Sequence, residues 1–264
     1  MSEKVTKSIV CPKCNETTQT EIYTSINAFN DPDLRESALD ESLFKWRCSC
    51  CNHQARLTYP VLYNDMKNRF MVYLIPRIER FQLADKELEE EFSNLKNINK
   101  RLVADYNAFK EKVFIFESGL NDMAVELTKL AISEAVAKKH NLEYVDNGYL
   151  SMYDRETNTM GFTFFLGKDN APYVQSARLE IYGKSMSIVK EFAQKDRNLK
   201  GFIKIDREWA ENVLYRYKRS KQHLQDMQNE NPDKPTIKKQ EFEKKKIEIE
   251  IVTPDFNKKD NTEE

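Results

Sequence analysis

Four of the five cysteines in this sequence stand as two C-x2-C pairs, Cys11-Pro12-Lys13-Cys14 and Cys48-Ser49-Cys50-Cys51, and all five lie within the first 51 residues. Two residues between ligands let a tight turn aim both sulfurs and its backbone N–H groups at one tetrahedral ion. Two such pairs are therefore the spacing of a four-thiolate metal site. Cys50 leaves a choice of register in the second pair. Asn15 follows the first pair and Asn52 the second, and asparagine is the non-glycine residue that best tolerates the left-handed backbone such a turn needs after its second ligand. The matched asparagines select Cys11, Cys14, Cys48 and Cys51 as metal ligands and leave Cys50 outside. Because sulfur fills all four positions, the ion, read as Zn2+, is expected to be structural, contributing folding energy and activating no water.

Other uses of paired cysteines fit less well. Disulfides belong to oxidising compartments, and the opening MSEKVTKSIV lacks the apolar stretch of an export signal, which sets the expectation of a cytoplasmic protein. A redox pair is expected at a helix N-terminus, whereas both pairs here fall between strand-like segments. The extra thiol of Cys50 is the best argument for thiol chemistry. Spacing alone does not separate zinc from an iron–sulfur cluster on the same four thiolates.

The patterning predicts an α+β protein. Segments 21–26, 43–46, 56–59 and 70–75 read as short strands with turn punctuation. Strands flanking the second pair, 43–47 and 54–58, form a hairpin arm, so residues 1–80 are expected to be a β-rich zinc ribbon. Asp31-Pro32 places an N-cap residue before a proline at the first helical position and predicts a short helix to about Ala38. From Gln82 the apolar period becomes helical, predicting one helix toward Leu102, a second over 105–117 ending at Ser118-Gly119, and a third over 120–139. Val113-Phe114-Ile115-Phe116 is apolar all round and needs burial on more than one side. The expected cover is an antiparallel meander from 149–154, 160–166 and the alternating 177–182, closed by helices over 185–194 and 207–218. This larger helix-plus-antiparallel-sheet domain spans 81–219. Residues 220–264 form a charged tail expected to be disordered, in which Ile247-Glu248-Ile249-Glu250-Ile251 alternates strictly and suits an edge strand.

Together these residues resemble a known family. Cys11-Pro12-Lys13-Cys14, Ile22-Tyr23-Thr24-Ser25-Ile26-Asn27, Asp31-Pro32-Asp33-Leu34, Ser42-Leu43-Phe44, the second cysteine pair and Tyr59-Pro60-Val61-Leu62-Tyr63-Asn64-Asp65-Met66 are similar to the CpXC domain, named for its paired Cys-Pro-x-Cys motifs. The similarity covers about 6–80. Residues 112–130, with Phe116-Glu117-Ser118-Gly119-Leu120-Asn121-Asp122, resemble the segment that commonly follows. The second motif departs from the pattern, with Ser49 in place of proline and Cys50 added. The resemblance implies a ribbon-like, metal-binding domain and brings no activity with it.

Composition narrows the function. Lysine and arginine number 42 against 43 acidic residues, a formal charge of -1, and no segment carries a strong sign. That argues against a dedicated polyanion binder. No window approaches the roughly 18 apolar residues of a membrane helix, so no membrane partner is expected. There is no glycine-rich phosphate loop, G-x-S-x-G or H-E-x-x-H, and no catalytic residue is assigned. Glu117, Asp122 and Glu126 around Gly119 could do acid–base work or bind a hard cation, but a solvated helix face is the favoured reading. His53, just after the second pair, could substitute as a ligand, but with four thiolates available it reads as a surface residue or one that packs behind the ligands; His140 and His223 read as ordinary exposed residues. The expectation is a zinc-binding, non-enzymatic interaction module whose partner is another protein. Two alternatives stand beside it: a weak nucleic-acid binder using Lys45, Trp46, Arg47 and Arg56, or an enzyme with an unrecognised site in the second domain.

Overall fold

The structure, a computed structural model, describes residues 2–76, 95, 97–145, 147–167, 169–197 and 201–230. They divide into two compact units, Met1–Asp122 with Gln194–Asp206, and Met123–Ala193 with Arg207–Glu264.

The first unit is built on a five-stranded sheet in the order β1-β2-β5-β6-β7. β1 (Glu3–Val10) and β2 (Thr17–Asn27) pair antiparallel, so the first cysteine pair caps their hairpin. The chain then forms α1 (Pro32–Leu39), a 3-10 turn (Ser42–Phe44) and the two-stranded hairpin β3 (Lys45–Arg47) and β4 (Gln54–Arg56), whose tip carries the second cysteine pair. Asp31 takes the N-cap position of α1 without a side-chain capping bond. Its carboxylate instead accepts from the Ser2 N–H at 3.2 Å and hydroxyl at 2.5 Å. β5 (Val61–Asp65) runs parallel to β2 and antiparallel to β6 (Phe70–Leu74).

One sequence expectation fails here. The helix expected from Gln82 lies mostly outside the described residues, and its last turn is a strand, β7 (Asn99–Val103), parallel to β6. Leu102 and Val103 fit a helical period as well as a pleat, and pairing with Phe70–Leu74 decides between them. α2 (Tyr106–Glu117) follows, capped by Asp105, whose side chain accepts from the Ala108 N–H at 2.8 Å. It packs on β6 and β7. Val113, Ile115 and Phe116 are all buried, which meets the demand of that all-round apolar run. The aromatics of this unit are largely its core: Tyr63 stacks on Phe70 and meets Phe109 edge-on, Phe70 stacks on Phe116, and Phe44 packs against Tyr59 and Tyr106. A small sheet fills its interior with rings because it has few other ways to exclude water.

The second unit contains the expected antiparallel meander. Its strands are β8 (Gly148–Asp154), β9 (Thr159–Leu166) and β10 (Ala171–Arg178), in the order β10-β9-β8. The third strand is earlier in the chain than the alternation at 177–182 suggested, because helix α4 (Leu179–Phe192) starts directly after Arg178. Pro172 is tolerated because β10 is an edge. Met160, Phe162 and Phe164 form the buried face of β9. α3 (Asp122–Lys139) is tied to α4 by a buried hydrogen bond of 2.9 Å between the Thr128 and Ser185 hydroxyls. A one-turn helix, α5 (Gln194–Arg197), belongs to the first unit. α6 (Arg207–Glu230) continues through the composition change at Ser220, and the segment 247–251 lies outside the described residues.

Gly148 leaves no room for a side chain. A Cβ there would sit 2.4 Å from two ring carbons of Phe164, which is 1% exposed and has nowhere to retreat. Gly148→Ala is therefore expected to destabilise the protein by about 1–3 kcal/mol, seen as a lower denaturation midpoint. An unchanged midpoint would show that β8 shifts freely against β9.

Candidate metal centre

The two cysteine turns are built alike, bond for bond. In the first, the Asn15 N–H donates to Cys11 O at 2.9 Å and the Cys11 N–H to Glu16 O at 2.9 Å. In the second, the Asn52 N–H donates to Cys48 O at 3.0 Å and the Cys48 N–H to His53 O at 2.8 Å. Asn15 and Asn52 both adopt left-handed backbone, φ 60° and 56°. The same side chain solves the same strain in both turns. Cys50 sits inside the second turn, exposed, while Cys11 and Cys48 are buried and Cys14 and Cys51 partly so.

The turns bring four sulfurs together. Cys11, Cys14, Cys48 and Cys51 place their Sγ atoms within 4.8 Å of one another, with Cys11 and Cys51 at 3.6 Å and Cys14 and Cys48 at 3.7 Å. A tetrahedral ion with metal–sulfur bonds of about 2.3 Å spaces its ligand sulfurs by roughly 3.8 Å. A disulfide would need about 2.05 Å, and all five cysteines are free thiols. The donor set therefore fits one thiophilic metal ion held by four thiolates.

The electrostatics of the cluster favour a cation. Burial pushes the Cys11 thiol up, but the backbone N–H groups of Cys14 and Lys13 donate to its sulfur and bring it down to about 6; the Lys13 bond is 3.4 Å long. Cys14 receives the Glu16 N–H, which lowers it, yet burial and the surrounding thiols carry it up to about 12. Cys51 receives the His53 N–H and is still raised, by burial and by the Cys11 and Cys48 thiols. Cys11 ionises readily, and Cys14 and Cys51 resist further negative charge. A bound cation removes that resistance and lets all four ionise.

Beneath the sulfurs lies a small apolar floor of Trp46, with Ile9, Ala55 and Leu57 packed around it. Trp46 is 5% exposed, and its indole Nε1 donates to Thr20 Oγ1 at 2.9 Å. Its ring is thus a wall of the centre and offers no face for stacking on a base. Arg56, beside it, lies over the Tyr106 ring at 3.7 Å and pairs with Glu41 at 2.5 Å. The place of Trp46 in this floor had no sequence signal beyond its position two residues before Cys48.

The carboxylates near Gly119 are not a solvated face. Glu117 binds Arg35 through both oxygens, at 2.8 and 2.6 Å. Asp122 receives Arg101 Nε at 2.5 Å and Nη2 at 2.9 Å, with Lys112 Nζ at 3.4 Å. Glu126 pairs with Lys129 at 3.0 Å. Each is occupied by a cation, and Asp122 and Glu126 are buried. His140 and His223 are exposed, and His140 meets Tyr173 edge-on. Among the described residues, no helix is long and apolar enough to cross a membrane.

Compared with known proteins, residues 9–129 match the family model described as CpXC protein, a span that takes in both cysteine turns, the end of β1, the other four strands of the five-stranded sheet, and α2. No curated protein and no solved structure matches the chain.

Proposed function

We propose that this chain, whose residues 9–129 belong to the CpXC family, is a zinc-binding protein in which a closed four-thiolate site fastens a ribbon that serves as a non-enzymatic interaction module. The observation that carries the metal reading is the clustering of four Sγ atoms within 4.8 Å at separations suited to a single tetrahedral ion. A cluster of several irons would hold its cysteine sulfurs further apart, because inorganic sulfur lies between them. Four sulfur ligands leave no open position for water or substrate, so the ion's contribution is to hold two hairpin tips that have little apolar surface between them.

Stripping the metal tests this. A chelator at neutral pH is expected to unfold the ribbon, moving the emission of Trp46 to longer wavelength as its ring meets water, and added zinc is expected to restore it. Unchanged emission from Trp46, read against a Trp209→Phe background, would contradict a metal-built ribbon.

A further inference from the structure

The hairpin that carries the second cysteine turn has an unfinished edge. β3 and β4 form a sheet of two strands, with no third among the described residues. The Leu57 N–H donates to Phe44 O and the Cys48 N–H to His53 O, both at 2.8 Å. With Trp46 opposite Ala55, the antiparallel alternation makes 44, 46 and 48 the residues bonded to β4 and turns the backbone groups of Lys45 and Arg47 away from it. The Lys45 N–H is used on Ser42 O. Among the described residues, Lys45 C=O and both backbone groups of Arg47 remain, a row of three along the outer edge.

The side chains of the same two residues add charge to that row. Lys45 and Arg47 are exposed on the face opposite buried Trp46, and neither has an ion-pair partner among the described residues. Arg56, by contrast, is spent on Glu41 and Tyr106. A cavity of about 500 Å³ lies against the hairpin, lined by Glu41 and by the residues of both strands, Lys45 to Arg47 and Gln54 to Arg56, within the size range of ligand sites. Two cations on alternate residues of a strand are about 7 Å apart. An extended peptide repeats its side chains at that same interval and supplies the N–H and C=O groups the edge lacks.

We propose that the outer edge of β3 binds an extended acidic segment of a partner protein, added as a third strand, with carboxylates at alternate positions facing Lys45 and Arg47. The residue between those carboxylates falls on the Trp46 side. Single-stranded nucleic acid fits less well, because Trp46 is buried and the Tyr106 ring is covered by Arg56. The inference rests on the reading of the ribbon as an interaction module, and it names the chemistry of the partner.

The test uses the full chain and a labelled peptide, Thr-Glu-Val-Glu-Val-Glu-Thr, followed by fluorescence anisotropy. Binding is expected at roughly 10–100 μM. It should weaken at least tenfold in the Lys45→Glu/Arg47→Glu variant, and weaken likewise for a peptide of the same composition with its three glutamates adjacent. A peptide with lysines in place of the glutamates should bind the charge-reversed variant instead. Absence of binding, or binding indifferent to Lys45 and Arg47, would overturn the proposal. So would tighter binding of a single-stranded oligonucleotide than of the peptide. Glu248 and Glu250 of this chain have the same alternation; if the peptide bound only after Glu248→Lys/Glu250→Lys, the edge would belong to the chain itself and the partner assignment would fail. Metal content measured on the same samples reports on the zinc reading separately, so either can fail alone.

Discussion

Cys11→Ser is expected to release the metal and unfold the ribbon, whereas Cys50→Ser, one position from a ligand, is expected to change neither. Cys11 is buried and is one of the four clustered sulfurs, and serine neither ionises at neutral pH nor matches sulfur's affinity for a thiophilic ion. Free energy of structural zinc binding is folding free energy, on the order of 10 kcal/mol for small sites. The apolar floor of Trp46, Ala55 and Leu57 is too small to replace that. Cys50 is exposed and its turn is closed by Asn52 and His53, so its loss should stay within about 0.5 kcal/mol. Metal analysis and near-ultraviolet circular dichroism of the two variants give the comparison. Equal damage from both would mean that Cys50 takes part in the site.

The second large effect lies at Asp122. Its carboxylate faces Arg101 and Lys112 in a site where all three side chains are buried. Asp122→Ala removes the anion from a buried charge cluster and is expected to cost about 3–5 kcal/mol, measured by urea denaturation. A loss under about 1 kcal/mol would show that water reaches the cations. Burial pushes the Asp122 carboxyl up, but Arg101 and then Lys112 overcome this and hold it at about 2, below its ordinary 3.8. A carboxylate depressed in the folded state stabilises it above the ordinary value and loses that contribution as pH falls through the folded one. About 2 kcal/mol should therefore disappear between roughly pH 4 and pH 2, and Asp122→Ala should be flatter over that window.

The cysteine turns were legible because their constraint is local. A C-x2-C turn closed by a left-handed residue needs only five positions, and asparagine at 15 and 52 marks both. The helix from Asp105 to Ser118-Gly119 was legible for the same reason, since its cap and its stop lie in the segment itself. What escaped depends on distant partners. β7 is a strand because β6 lies beside it, and nothing in Asn99–Val103 announces that neighbour. Arg101 looks like any charge on a helical face until Asp122, twenty-one residues later, meets it in the interior. The carboxylates at 117, 122 and 126 look like a wet surface for that reason. The boundary between β10 and α4 moved because Leu179 and Ile181 alternate as well in one turn of helix as in a strand, and only the ladder with β9, ending at Arg178, separates the two.

The proposed ribbon depends on one tetrahedral ion. Native mass spectrometry with elemental analysis, on full-length protein purified without added metal, measures it most directly. The expected result is one zinc per chain, lost together from all chains when Cys11, Cys14, Cys48 or Cys51 is replaced. Iron with visible absorbance, or a folded ribbon that carries no metal, would contradict it.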